Sequence, residues 1–195
     1  MDIVETISSF NVFDLVFLLF LCGMFVLGYI QGTVRRLVGT LSFIFSFFLA
    51  AVLSVPFGAF LKSYWTDYPD EYSNMIAFLT VFVAAVVAFF LVIQGTYSKT
   101  ALFAKWPVVD EVLGGVVGVI QGFLLLMFLT IILDQYFVWY PTTASGDELP
   151  FLRSIWDAIS TSGVGMLLHQ TVIPNFISLF GFILPEYIKA TYGIA

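Results

Sequence analysis

Charge, cysteine and histidine are scarce in this chain. Of its 195 residues 10% are charged, against about 25% in soluble domains, and it holds one cysteine and one histidine. The single Cys22 excludes an internal disulfide. Neither clustered metal ligands nor a phosphate-binding loop is present. Cys22 falls in the middle of an apolar run and His169 in the tail, so they cannot act as nucleophile and base. The expectation is a protein without catalytic, cofactor or metal sites, with His169 as a polar contact. The net charge is −6 and Arg35 and Arg36 are the only adjacent basic pair, so there is no footprint for nucleic acid. The opening "MDIVETISSFNVFD" has no positive n-region, and the run behind it is too long for a secretory h-region.

What is abundant is apolar surface. Hydrophobic residues make up 61% of the chain and aromatics 18%, more than a soluble fold of this size can hide. Four stretches are long enough to cross a hydrocarbon core of about 30 Å, which takes roughly 20 helical residues: Val12 to Thr33, Leu37 to Leu61, Met75 to Tyr97 and Val112 to Leu133. The expected fold is an all-α, polytopic membrane protein. Residues 1–138 form a four-transmembrane-helix bundle, and residues 139–195 hold a loop and a C-terminal amphipathic helix in the interface.

Basic residues set the orientation. Arg35 and Arg36 follow the first span, and Lys99 and Lys105 lie between the third and fourth. With these turns cytoplasmic, the inner side holds four basic and two acidic residues and the outer side three basic and eleven acidic ones. Both termini are then outside. In the tail, Phe151, Leu152, Ile155, Trp156, Ile159, Met166 and Leu167 recur near helical spacing, which suits a helix lying in the interface. The alternative is a fifth or re-entrant span within residues 163–184, against which Pro174, Pro185, His169 and Gln170 argue.

In lipid, helices associate through small residues that let backbones approach. Gly114, Gly118 and Gly122 form a face on the fourth span, and Gly28 and Gly32 one on the first. Smooth stripes also run along the second span (Ser42, Ser46, Ala50, Ser54) and the third (Thr80, Ala84, Ala88). The economical packing sets the first and fourth helices antiparallel, glycine to glycine, and glycine faces can also join copies of the chain. The tripeptide Ile-Gln-Gly occurs three times, supplying Gln31, Gln94 and Gln121 as intramembrane amides for helix packing, or alternatively as pore or substrate ligands. Asp14 and Asp134 fall at the outer ends of their helices, near enough to water to stay ionised; the alternative is an ion- or proton-handling role. Asp110 and Glu111 open the fourth helix and are the expected partners of Arg35 and Arg36.

Two blocks, "FDLVFLLFLCGMFVLGYIQGTVRRLVGTLSFIFSFFLA" (Phe13 to Ala50) and "VVDEVLGGVVGVIQGFLLLMFLTIIL" (Val108 to Leu133), resemble the signature blocks of the colicin V production family of bacterial membrane proteins. Asp14, Gly32 and Arg35 match the first; Asp110, Leu113, Gly114, Gly118 and Gly122 match the second. The departures are Gln31 and Gln121 where the family places arginines, Arg36 for an acidic residue and Glu111 for an arginine. The resemblance implies four spans, an outer C-terminus, residence in the bacterial inner membrane, and a role in toxin production and export or in envelope maintenance. The function it points to is a non-catalytic subunit that meets lipid and a protein partner in an envelope or export complex. The alternative is a channel or transporter subunit that forms a pore as an oligomer.

Overall fold

The computed structural model describes residues 11–65, 68–96, 106–140 and 148–194. Lys99 and Lys105, and the side chain of Gln94, lie outside the described residues. The described chain is helical throughout: α1 (Val12–Gln31), α2 (Thr33–Lys62), α3 (Asp70–Thr96), α4 (Pro107–Phe137), α5 (Pro150–Ser160), α6 (Gly163–Leu167), a π-helical turn (Leu168–Val172), α7 (Ile173–Phe180) and α8 (Glu186–Thr191).

Local chemistry sets these boundaries. At the start of α1 the Asn11 side chain accepts from the Phe13 and Asp14 amides at 2.8 and 3.3 Å, and the Asp14 carboxylate accepts from the Asn11 amide at 2.8 Å. This reciprocal box satisfies amides that the first turn leaves open. The helix stops at Gly32, whose φ of 79° is left-handed space that glycine enters without a Cβ clash. One residue therefore separates α1 from α2, and α2 starts four residues earlier than hydropathy alone indicates. Pro107 opens α4 at a position where its missing N–H costs nothing.

The first helix does not pair with the second. α1 packs along α4 and α2 along α3, and α4 touches both members of the second pair, whereas α1 and α2 barely meet. The antiparallel run of α1 on α4 shows in its register: Gly28 lies on Gly114, Met24 on Gly118, and Phe20 and Leu21 on Gly122. Between α2, α3 and α4 the core is aromatic. Phe47 stacks on Phe128 at 4.0 Å, Phe43 on Phe128 at 5.5 Å, and Phe82 meets Phe43 edge-on at 5.3 Å. Each such pair contributes about 0.5–1.5 kcal/mol beyond its buried area. Ser46, Ala50 and Ser54 turn inward on α2. The proposed stripe on α3 does not, since Thr80, Ala84 and Ala88 are exposed; α3 instead buries Ala77, Phe78 and Phe82 against the rings of α2.

Among the described residues five helices, not four, are long and apolar enough to cross a membrane: α1 to α4 and the continuous helix Gly163–Phe180. The count of four is corrected accordingly, and the class stands: an all-α, multi-pass membrane protein. Pro174 does not break the fifth helix, because the π turn just before it widens the backbone where the proline ring would meet a carbonyl. This helix runs across the bundle. It starts against Asp14 of α1, passes Asp134 of α4, and ends with Phe176 and Phe180 against Phe47 and Phe48 of α2.

Candidate functional sites at the two ends of the bundle

The glycine seam between α1 and α4 holds both ends in place. A Cβ on Gly28 would overlap the Gly114 carbonyl, and one on Gly114 would come within 2.5 Å of the Gly28 oxygen and 2.9 Å of the Gly32 carbonyl carbon. Gly118 meets the Met24 carbonyl in the same way, and Gly122 lies against Leu21, Met24 and Phe20 side chains. Gly28, Gly32, Gly114, Gly118 and Gly122 are thus buried within one chain, so the faces that could have joined copies are already occupied.

At the Gly32 end, α2 begins without a side-chain cap because Gly32 has no side chain. Asp110 serves instead. Its carboxylate accepts from the Thr33 amide at 3.4 Å, its backbone carbonyl accepts from the Thr33 hydroxyl at 2.5 Å, and the residue is 1% exposed. A negative charge here is favoured by the helix dipole. Arg36 does not join Asp110 and Glu111 in the expected ion-pair network. It turns into the bundle, with Nη1 donating to Gln31 Oε1 at 3.3 Å and Nη2 toward Met24 Sδ at 3.4 Å. Arg36 is 8% exposed and its Nε has no hydrogen-bond partner. Among the described residues no carboxylate lies within ion-pairing distance of it. The reason is the one-residue break at Gly32, which starts α2 beside α4 and points its fourth residue inward.

Beside Arg36 lies a cavity of about 80 Å³ that Gln31, Arg35, Arg36, Ser42 and Gln121 line on one side and Phe43 and α3 on the other. Two of the three repeated glutamines meet here. The Thr40 hydroxyl donates to the Arg36 carbonyl at 3.0 Å and lies 3.5 Å from Gln121 Oε1. The stacked rings of Phe43, Phe47 and Phe128 fill the bundle between this cavity and the opposite end.

At the other end both acids are buried, Asp14 at 1% and Asp134 at 0% exposed, which corrects their expected access to water. The tail folds over them. Asp14 accepts from the amides of Gly163 and Val164 at 3.1 and 2.9 Å, so one carboxylate caps two helices. Asp134 sits near the C-terminus of α4, where the dipole disfavours it. Three donors compensate: Trp156 Nε1 at 2.8 Å, His169 Nε2 at 2.9 Å and the Tyr192 hydroxyl at 2.5 Å. The second nitrogen of His169 faces the Gly165 carbonyl at 2.9 Å. Both partners of the ring, the Asp134 carboxyl and the Gly165 carbonyl, can accept a hydrogen bond. Burial and the Asp134 carboxylate push the Tyr192 phenol well above its ordinary range. The Tyr187 hydroxyl donates to the Ala51 carbonyl and pairs with Ser54 at 2.7 Å, and burial pushes that phenol up to about 12.

Further along the tail, Glu148 takes both Nε and Nη2 of Arg153 at 2.6 and 2.7 Å and accepts from Tyr136 at 2.9 Å. The hydrogen bonds that Arg153 donates to Glu148 raise its pKa, so it stays charged. A wider cavity of about 470 Å³ remains between α8 and the bundle, with Ser54, Glu71, Asn74, Gln135, Trp139 and Tyr187 in its walls. Trp156, Tyr192 and Thr33 were not identifiable as site residues in the sequence, because each acts on a partner far along the chain. Cys22 is exposed on α1, away from His169.

A family model described as "Colicin V production protein" matches residues 13–145, which takes in all four long helices and the start of the tail. No curated protein and no solved structure shows a significant match to the chain.

Proposed function

The chain belongs to the colicin V production protein family, and on that premise we propose that it is a non-catalytic subunit that docks laterally with a toxin-production, export or envelope assembly. The observation that carries this reading is the one-sided use of α1. Its apolar window is 17% buried, against 50% for α4. One face is consumed by the glycine seam. The opposite face, Leu15, Leu19, Cys22, Val26 and Ile30, follows helical spacing along the whole span and is exposed. A stripe of that length suits a second apolar helix as well as acyl chains.

Support for a non-catalytic role comes from the buried ionisable groups: Asp14, Asp110 and Asp134 spend their lone pairs on caps and on the tail. A pore within one chain is disfavoured by the aromatic layer at mid-bundle. In the same proposal the basic Gly32 end faces the cytoplasm of the bacterial inner membrane. Purification from native membranes in mild detergent, with every bound protein identified, tests the reading. The wild type is expected to carry a stoichiometric partner that a Leu19→Trp, Val26→Trp variant loses while remaining folded. A chain that comes out alone, or a partner retained equally by the variant, would overturn it.

A further inference from the structure

We propose that the cavity at the Gly32 end is an oxyanion site whose ligand is a phosphate group. The Arg36 guanidinium supplies the charge, and the carboxamides of Gln31 and Gln121 act as neutral donors. This site is independent of the lateral docking of α1.

The argument is a balance of donors and acceptors. An arginine cannot shed its proton, and an ionised group at membrane depth is tolerated when it has a counter-charge or reaches water. Arg36 is 92% buried by its 8% exposure, and its Nε–H faces no acceptor. Among the described residues its polar partners are a neutral amide oxygen and a thioether sulfur. The two glutamines have their oxygens turned to Arg36 and Thr40, both side chains line the cavity, and each carboxamide has two N–H groups to donate. Ser42 adds a hydroxyl to the lining and Arg35 a second cation. Among the described residues every polar side chain of the lining can donate and none is a carboxylate; the rest of the wall is Gly39, Phe43 and apolar residues of α3. Such a set is complementary to a tetrahedral anion, for which a guanidinium is the preferred partner.

Size and depth agree. The space is about 80 Å³, where a single water needs roughly 10–15 Å³, so it accommodates a small polyatomic group. Arg36 is the fourth residue of α2, about 5 Å along the helix from its start, at the boundary where lipid headgroups lie. The phosphate can therefore come from an anionic lipid or from a free ion.

The test uses the full chain in an uncharged detergent. Inorganic phosphate is titrated in one arm. In the other, phosphatidylglycerol is compared with diacylglycerol, which lacks phosphate. Thermal unfolding and phosphorus NMR line width are read in both. The wild type is expected to show saturable stabilisation and line broadening. Arg36→Gln abolishes both, although its ligand-free melting temperature is no lower than that of the wild type, because an uncompensated buried charge is gone. Gln121→Leu keeps the charge and binds about tenfold more weakly, as expected for one lost bond to a charged group. A response to phosphatidylglycerol that free phosphate does not displace identifies a lipid as the source. A response to phosphate alone identifies a free ion. No saturable response to either probe, or equal responses from Arg36→Gln and Gln121→Leu, would overturn the proposal.

Discussion

The glycines of this protein look alike in sequence and differ in what surrounds them. Gly28, Gly114 and Gly118 are places where one helix backbone rests on another, and any Cβ there meets a carbonyl. Gly23 and Gly39, in the interiors of α1 and α2, have nothing within 4 Å of where a Cβ would be. The two groups respond oppositely to the same substitution. Gly114→Ala is expected to cost about 1–3 kcal/mol through forced separation of α1 and α4. Gly23→Ala is expected to gain up to about 1 kcal/mol from helix propensity. Reversible unfolding in detergent measures both, and a destabilised Gly23→Ala beside an unaffected Gly114→Ala would reject the seam. The same scale accounts for Arg36, which in sequence is a basic residue in a turn and is read as a partner of Asp110 and Glu111. The helix break at Gly32 sets where α2 starts, and Arg36 is buried in its first turn.

At the scale of elements, the tail is a lid built on hydrogen bonds across the end of the bundle. Asp14 holds the first turn of α6, Asp134 holds α5 through Trp156, the π turn through His169 and the end of the tail through Tyr192, and Tyr187 ties α8 to α2. Little of this is legible in the sequence, because the partners lie 149 and 150 residues apart for Asp14 and 22 to 58 apart for Asp134. No local periodicity links them. The amphipathic pattern of Pro150 to Val172 was visible, and Leu152 and Ile159 are buried while Phe151 and Ile155 are exposed. What faces the buried side was not visible.

The lid also carries a pH dependence. The Tyr187 phenol has a folded value of about 12 against an ordinary 10. A raised value means that the protonated form is favoured by folding, so the contribution is complete below pH 10 and is lost as pH rises toward 12. Stability followed by tryptophan fluorescence should fall across that window more steeply in the wild type than in Tyr187→Phe. Identical slopes would remove Tyr187 from the lid.

For the molecule as a whole, hydropathy identified the four long helices because each run is apolar on every face, and composition alone demanded a membrane. The pairing of α1 with α4 was partly legible, since glycines at four-residue steps mark one face of each. The fifth candidate span escaped because its polar residues and Pro174 look disruptive until the π turn and Asp134 accommodate them. The central claim is that α1 presents a free apolar face to a protein partner. Cys22, the chain's single cysteine, lies in the middle of that face and provides a native attachment point. A thiol-reactive photo-crosslinker placed on Cys22 in intact membranes is the most direct measurement. The account predicts one dominant adduct with another membrane protein, at a yield comparable to the labelled chain. Adducts with lipid alone, or with a second copy of the chain, would contradict it.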